Sequence, residues 1–262
     1  MNTLIKDDWN AGSDKWFKAN ASEIIIKKTI HDPMWVFPTP VRDMLKGAFQ
    51  NLEGKRILVP SSGNNVAVFA FHLLGAKVTS SDFAENQLKN AKAIADRHGW
   101  DIEFVCDDSM ELSKIQENEY DLVYTSNGVH VWISDLPRMY QSFNRILKNA
   151  GRYIMFELHP FNRPLTEDEK DLYRIKSAKP YEATGPLGQI PNYHWRIQDF
   201  VNAMIQSDFS IGEMVEFHSE KDVHDCWWYG SSEEADSDNM ADWKINPWAA
   251  LPQWMGFTAK KI

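Results

Sequence analysis

Hydrophobic positions along this chain fall into short apolar runs separated by stretches of helical period, a rhythm that begins near residue 55. It predicts strands over 56–60, 77–81, 101–106, 120–125 and 151–157, with helices over 65–74, 85–98, 112–116 and 136–147 between them. Strict strand–helix alternation predicts a doubly wound α/β fold, a mostly parallel sheet with helices on both faces. After Glu157 the pattern changes. Residues 159–193 carry five prolines and read as a loop-rich insertion with one short helix around 167–175. A helix over 197–207 and a strand over 211–218 resume the core, and an irregular stretch, acidic over 233–242, precedes a last strand over 254–260. Two strands in succession without a full crossover helix predict an antiparallel pair at the sheet edge, seven strands in all. The first 49 residues hold helical pieces around a Pro38-Thr39-Pro40 break.

Composition narrows the partners. A length of 262 residues suits one α/β domain with insertions. The net charge of −9, with its basic residues scattered, disfavours a nucleic-acid backbone. The N-terminus lacks a signal-peptide pattern and no apolar stretch reaches membrane-spanning length, so a cytoplasmic protein is expected. Cys106 and Cys226 lie far apart without neighbours at metal-ligand spacing, and read as packed thiols. His224 beside Asp225 and Cys226 finds no further ligand and reads as a surface cluster, so no metal is expected. The anomaly is 11 tryptophans concentrated towards the two ends of the chain, Trp9 and Trp16 among them.

The chemistry centres on residues 55–82, KRILVPSSGNNVAVFAFHLLGAKVTSSD. An apolar strand enters a turn of small and polar residues, a helix follows, and a second strand ends in an acid. That unit builds an adenosine pocket in α/β proteins, the carboxylate accepting from the ribose hydroxyls. Only Gly63 stands where a dinucleotide loop has three glycines, and no Lys-Ser/Thr pair follows, which excludes a P-loop.

The order of features resembles the class I S-adenosylmethionine-dependent methyltransferases, small-molecule branch, from about Gly54 to Glu157. Residues 57–65 lie where that family has its glycine-rich motif, Asp82 at the acidic end of its second strand, and Phe104-Val105-Cys106-Asp107-Asp108-Ser109 at its adenine-contacting motif. Tyr120 to His130 resembles its fourth-strand motif and Arg145 to Arg152 the turn before strand five. The resemblance implies an N-terminal helical cap over 1–50 and a methyltransferase domain over 51–262 with cap insertions at about 159–196 and 219–252. It implies S-adenosylmethionine held by Ser61, Ser62, Gly63, Asn64, Asn65, Asp82, Phe83, Asp108, Ser109 and Asn127, with Asp107 as the one-residue-slip alternative to Asp108. The departures sit in the first motif, where Val59 replaces an acid, Ser61 the first glycine and Asn65 the third. Asn tolerates positive φ, and the amides of Asn64 and Asn65 are available to a methionyl carboxylate near a helix N-terminus.

An aromatic wall stabilises a sulfonium without offering a nucleophile, and Trp9, Trp16 and Phe17 are candidates. Asp82 has a competing role as cap of the helix that begins near Glu85. Three histidines are candidate bases for a protonated acceptor: His130 after the fourth strand, His159 after the fifth with Glu157 as its orienting partner, and His194 in the insertion. The expected reaction is methyl transfer to a small aromatic or heterocyclic molecule under a tryptophan-rich cap. The rival readings are a non-catalytic cofactor-binding partner protein and a nicotinamide-dependent oxidoreductase.

Overall fold

The computed structural model describes residues 3–126, 128–168, 171–220 and 242–262. Four short strands, β1 (Arg56–Val59), β2 (Lys77–Asp82), β3 (Ile102–Cys106) and β4 (Tyr120–Thr125), all but β3 largely buried, form a parallel run that β4 joins to the longer β5 (Leu147–Leu158). A separate hairpin, β6 (Leu165–Asp168) and β7 (Asp171–Ser177), follows. The strands β8 (Phe209–Phe217) and β9 (Trp254–Lys261) then complete a seven-stranded sheet in the order β3-β2-β1-β4-β5-β9-β8. β9 runs antiparallel to both β5 and β8, as the sequence pattern anticipates for the C-terminal pair.

Helices cover both faces, each burying an apolar stripe. The seven residues of α4 (Ala67–Leu73) read AVFAFHL, and Ala67 through Phe71 are all buried. In α5 (Glu85–His98) Leu88, Ala91 and Ala95 recur at helical period on the buried side, and Gly99 at φ +68° ends it in the left-handed conformation that favours glycine. Asp135 caps α6 (Leu136–Ile146) by accepting from Arg138 N, with a proline in the first turn. It packs with α7 (Ile197–Gln206) over Tyr153, Met155 and Phe257 on one face.

On the other face α2 (Glu23–His31) and α3 (Thr39–Ala48) join the cluster of Ile57, Leu122 and Ile154 through Ile26, Val41, Met44 and Leu45. These helices are thus continuous with the main core. By contrast α1 (Thr3–Asn20) buries only Ile5, Ser13 and Phe17, and meets α5 along a polar seam. There Lys6 pairs with Glu85, Asn10 Oδ1 accepts from Asn86 N at 2.9 Å, Gln87 Nε2 donates to Trp9 O at 3.0 Å, and Asn90 Nδ2 donates to Ser13 Oγ at 2.9 Å. Among the described residues no helix is long and apolar enough to cross a membrane.

Two expected helices are corrected. Residues 112–116 form turns, because Leu112 sits at φ +45°, which a right-handed helix cannot accommodate. Residues 167–175 belong to the β6–β7 hairpin, Leu165 pairing with Ser177 and Glu167 with Ile175. The cluster at His224 and Cys226, with Trp227, Trp228 and most of the acidic stretch, lies outside the described residues, as does Asn127.

Candidate active site

The carboxyl ends of β1, β2, β3, β4 and β5 open into one cleft of about 650 Å³, with α1 across its mouth. Ligands collect at this edge in open α/β sheets, because the loops leaving the strands diverge there.

The loop after β1 forms one wall. Ser62 is buried; its N–H donates to Ser81 O at 2.9 Å and its hydroxyl pairs with Ser80 Oγ at 2.8 Å, fastening the loop to β2. Positive φ occurs at Ser61 (+46°) and Gly63 (+48°). Asn64 and Asn65 have ordinary backbone angles, so the expected reason for asparagine in this loop is corrected: the residue that takes a glycine-like conformation without being glycine is Ser61. Its hydroxyl lies 2.6 Å from Ser109 Oγ, which ties the loop to the end of β3. Asn65 also differs from expectation. Its Nδ2 donates to Ser126 Oγ at 2.6 Å and its Oδ1 accepts from Ala67 N at 2.9 Å, so its amide braces the first turn of α4. Asn64 Nδ2 makes one long contact, 3.4 Å, to Trp16 O.

Asp82 stands at the tip of β2, 5% exposed, and lines the cleft. Its Oδ2 accepts from Gly63 N and its Oδ1 from Ala84 N, each at 2.8 Å. Burial raises its pKa to about 6, although the N–H groups of Ala84, Gly63 and Phe83 oppose the shift. The residue at the N-cap of α5 is Ala84, and no side chain caps that helix, so the capping role for Asp82 is not what the geometry displays.

Of the two acids after β3, only Asp108 lines the cleft. Asp107 is buried and spent on the backbone, taking N–H bonds from Asp108 at 2.9 Å and Lys114 at 2.7 Å. Asp108 Oδ1 accepts from Met110 N at 2.9 Å, and Ser109 and Phe83 border the same region.

Tryptophans form the opposite wall. Trp9 stands 6.3 Å from Trp16 and meets Trp132 edge-on at 5.7 Å, and all three line the cleft. Phe17 does not. It is buried in the core, a correction to its candidacy as a cofactor wall. Sequence reasoning missed Trp132, Tyr193, Trp254, Glu157 as a cleft residue, and Arg163. Trp132 lies two residues beyond His130, the end of the fourth-strand motif, and that proximity is its signal in the sequence.

At the inner end Glu157, 2% exposed, gathers donors from every side. Its Oε1 accepts from Gly128 N at 3.0 Å and Leu158 N at 2.9 Å, and its Oε2 from His130 N at 3.3 Å. His130 Nδ1 lies 3.1 Å from Oε2 and an Arg163 amino group 3.3 Å from Oε1. Burial alone would raise its pKa, but the His130 hydrogen bond, the Arg163 charge and the Gly128 N–H carry it below the usual value. Glu157 is therefore an ionised carboxylate, and His130 carries a proton on Nδ1.

None of the three candidate histidines lines the cleft. His130 is 1% exposed, its Nε2 occupied by the Tyr153 hydroxyl at 3.2 Å, so it orients Glu157. His159 is fully buried between Glu216, 2.7 Å from Nε2, and Phe161 N, which donates to Nδ1 at 3.2 Å. Glu157 is not its partner, and burial lowers its pKa despite Glu216. His194 lies beside the cleft residue Tyr193, and burial, with the charges of Arg163 and Lys179, lowers its pKa to about 4. The expectation of a histidine base facing the acceptor is corrected for all three.

Comparison with known proteins places this geometry. Residues 60–151 match the model of a methyltransferase domain. An uncharacterized methyltransferase, YbaJ, of Bacillus subtilis (strain 168) is 24% identical over 190 residues, covering 69% of this chain and 73% of that protein. The human mitochondrial arginine-hydroxylase NDUFAF5 is 30% identical over 122 residues, 44% of this chain and 33% of that one. The crystal structure of an S-adenosylmethionine-dependent methyltransferase from Mesorhizobium loti superposes with a TM-score of 0.60 at 19% identity, covering 84% of this chain and 96% of that one. Sheet order and cleft position are those of the class I methyltransferase fold, and residues 60–151 match a methyltransferase domain.

Proposed function

We propose that the chain moves the methyl group of S-adenosylmethionine to a small aromatic or heterocyclic acceptor seated against the tryptophan wall. The observation that carries this reading is that one cleft joins the acid-bearing strand tips to Trp9, Trp16 and Trp132. The donor chemistry fits the cofactor. Asp82 accepts from the ribose hydroxyls, Asp108 from the adenine amine beside Phe83 and the Ser109 backbone, and Asn64 donates to the methionyl carboxylate. Trp9 and Trp16, which line the cleft, would offer their rings to the sulfonium, since ring quadrupoles attract cations without attacking them.

When bound, the cofactor supplies an activated methyl that leaves by in-line displacement. The chain aligns the acceptor and excludes water. With no histidine among the described residues lining the cleft, the acceptor arrives with a lone pair available or loses its proton to solvent. The cytoplasmic location and the absence of a nucleic-acid partner belong to the same proposal, and the charge of −9 supports the second.

A rival is favoured by the human relative named for arginine hydroxylation. The two separate cleanly. Incubation of the protein under air with S-adenosylmethionine, ascorbate as electron donor and a panel of phenols, indoles, pyridines and an arginine peptide, read by mass spectrometry, yields S-adenosylhomocysteine in equal amount to methylated product under the present reading. Oxidised product with the cofactor unchanged would overturn it.

A further inference from the structure

The inner end of the cleft holds a guanidinium with donors to spare. Among the described lining residues Arg163 is the one cation. Its contact with Glu157, at 3.3 Å, is single and long, and Glu157 is already satisfied by three backbone N–H groups and His130. A guanidinium has five N–H donors, and among the described residues no other side chain takes one of them. Two further basic groups stand behind it. Lys179 Nζ meets only backbone carbonyls among the described residues, Ala183 O at 2.8 Å and Pro180 O at 3.4 Å. His194 Nδ1 is buried with no hydrogen-bond partner there. After burial, Arg163 is the largest influence lowering the pKa of both, so three basic side chains cluster here, with Glu157 against Arg163 and Glu182 acting on Lys179. In a chain of net charge −9 this is a local exception.

We propose that the acceptor carries a carboxylate, bound by the Arg163 guanidinium as a two-pronged ion pair at the inner end of the cleft. A carboxylate matches the planar fork of a guanidinium, and the field of Lys179 adds to the attraction. The proposal rests on the reading that the acceptor occupies this cleft. The methionyl carboxylate of the cofactor is the competing occupant. Position argues against it, because Arg163 also borders a small recess with His130, Trp195 and Phe200, none of which lines the main cleft.

The test is titration of the full chain, saturated with S-adenosylhomocysteine, with indole-3-carboxylate, indole-3-acetate and 4-hydroxybenzoate, each against its own carboxamide. At least one acid is expected to bind roughly tenfold tighter than its amide. Arg163→Gln should erase that preference and leave S-adenosylhomocysteine affinity unchanged, at some loss of melting temperature from the broken Glu157 contact, while Arg163→Lys, which keeps the charge, retains part of the preference. Should the Gln variant fold poorly, the comparison of the Lys variant with the wild-type chain decides the same point. A panel in which no acid outbinds its amide, or a preference that survives Arg163→Gln, overturns the proposal. So does a tenfold loss of S-adenosylhomocysteine affinity in the variant, which would give Arg163 to the cofactor. If the wild-type chain does not bind S-adenosylhomocysteine at all, it is the methyltransferase reading that fails, and this inference with it.

Discussion

Asp82 Oδ2 accepts the backbone N–H of Gly63 at 2.8 Å, so the acid at the tip of β2 and the one glycine of the loop after β1 hold each other in place. The same carboxylate lines the cleft and has lone pairs left for a ligand. Asp82→Ala should weaken S-adenosylhomocysteine binding roughly ten- to a hundredfold, since hydrogen bonds to a charged group contribute about 1.5–3 kcal/mol. Titration calorimetry measures it. A variant that melts far lower yet binds normally in its folded fraction would make Asp82 a structural brace alone.

The raised pKa of that carboxyl, about 6, gives a pH signature. The folded state favours the neutral form, so this group's contribution to stability is fully present below its ordinary pKa and is lost as pH rises through about 6. Cofactor affinity runs the other way, because the ionised form is the better acceptor for ribose hydroxyls. The dissociation constant for S-adenosylhomocysteine should be flat above neutrality and should rise as pH falls through 6. Asp82→Asn should be weaker throughout and flat over the same range. An Asn variant with the wild-type pH profile would assign the titration to another group.

Ser61 at φ +46° sets two terms against each other. The left-handed conformation costs a non-glycine residue about 1–2 kcal/mol, while the hydrogen bond to Ser109 returns about 1 kcal/mol. Ser61→Ala keeps the strain and loses the bond, whereas Ser61→Gly loses both. The glycine variant should therefore melt higher than the alanine variant, the reverse of the usual order for these two residues. Thermal unfolding of the pair checks it, and an alanine variant more stable than glycine would contradict the loop geometry.

Glu157 is the most heavily bonded buried acid of the cleft, and its removal strands several donors. Glu157→Ala should lose about 3–5 kcal/mol of stability in urea denaturation, as for other broken buried ion pairs. Glu157→Gln keeps an acceptor oxygen for one strand of these bonds and should lose less. Equal losses would mean that the charge, and not the set of backbone contacts, holds this end of the cleft.

Elements whose residues carry their own boundaries were legible in the sequence. α5 runs from Glu85 to a glycine at 99, and β4 is an apolar run between polar turns, so both coincide with expectation. That Asp82 and Asp108 border the cleft was legible because each stands at or just beyond a strand end, a fixed point of the fold. What failed depends on partners distant in sequence. Residues 167–175 are rich in Glu, Asp and Lys, which reads as helix, but pairing across the hairpin decides their state. His159 looked available until Glu216, 57 residues on, was found against it. Arg163 bears no local mark of function, since what matters is where a turn aims it, whereas Trp132 is marked only by its closeness to the fourth-strand motif. Leu112 shows the same limit in the backbone, where one residue at positive φ converts a plausible helix into a turn.

The central claim is that this cleft holds S-adenosylmethionine through Asp82 and the loop at residues 61–65. The most direct measurement is calorimetric titration of the wild-type chain with S-adenosylhomocysteine and, separately, with NADH. The account predicts saturable one-site binding of S-adenosylhomocysteine and no heat from NADH. Tight NADH binding with no response to S-adenosylhomocysteine would contradict it.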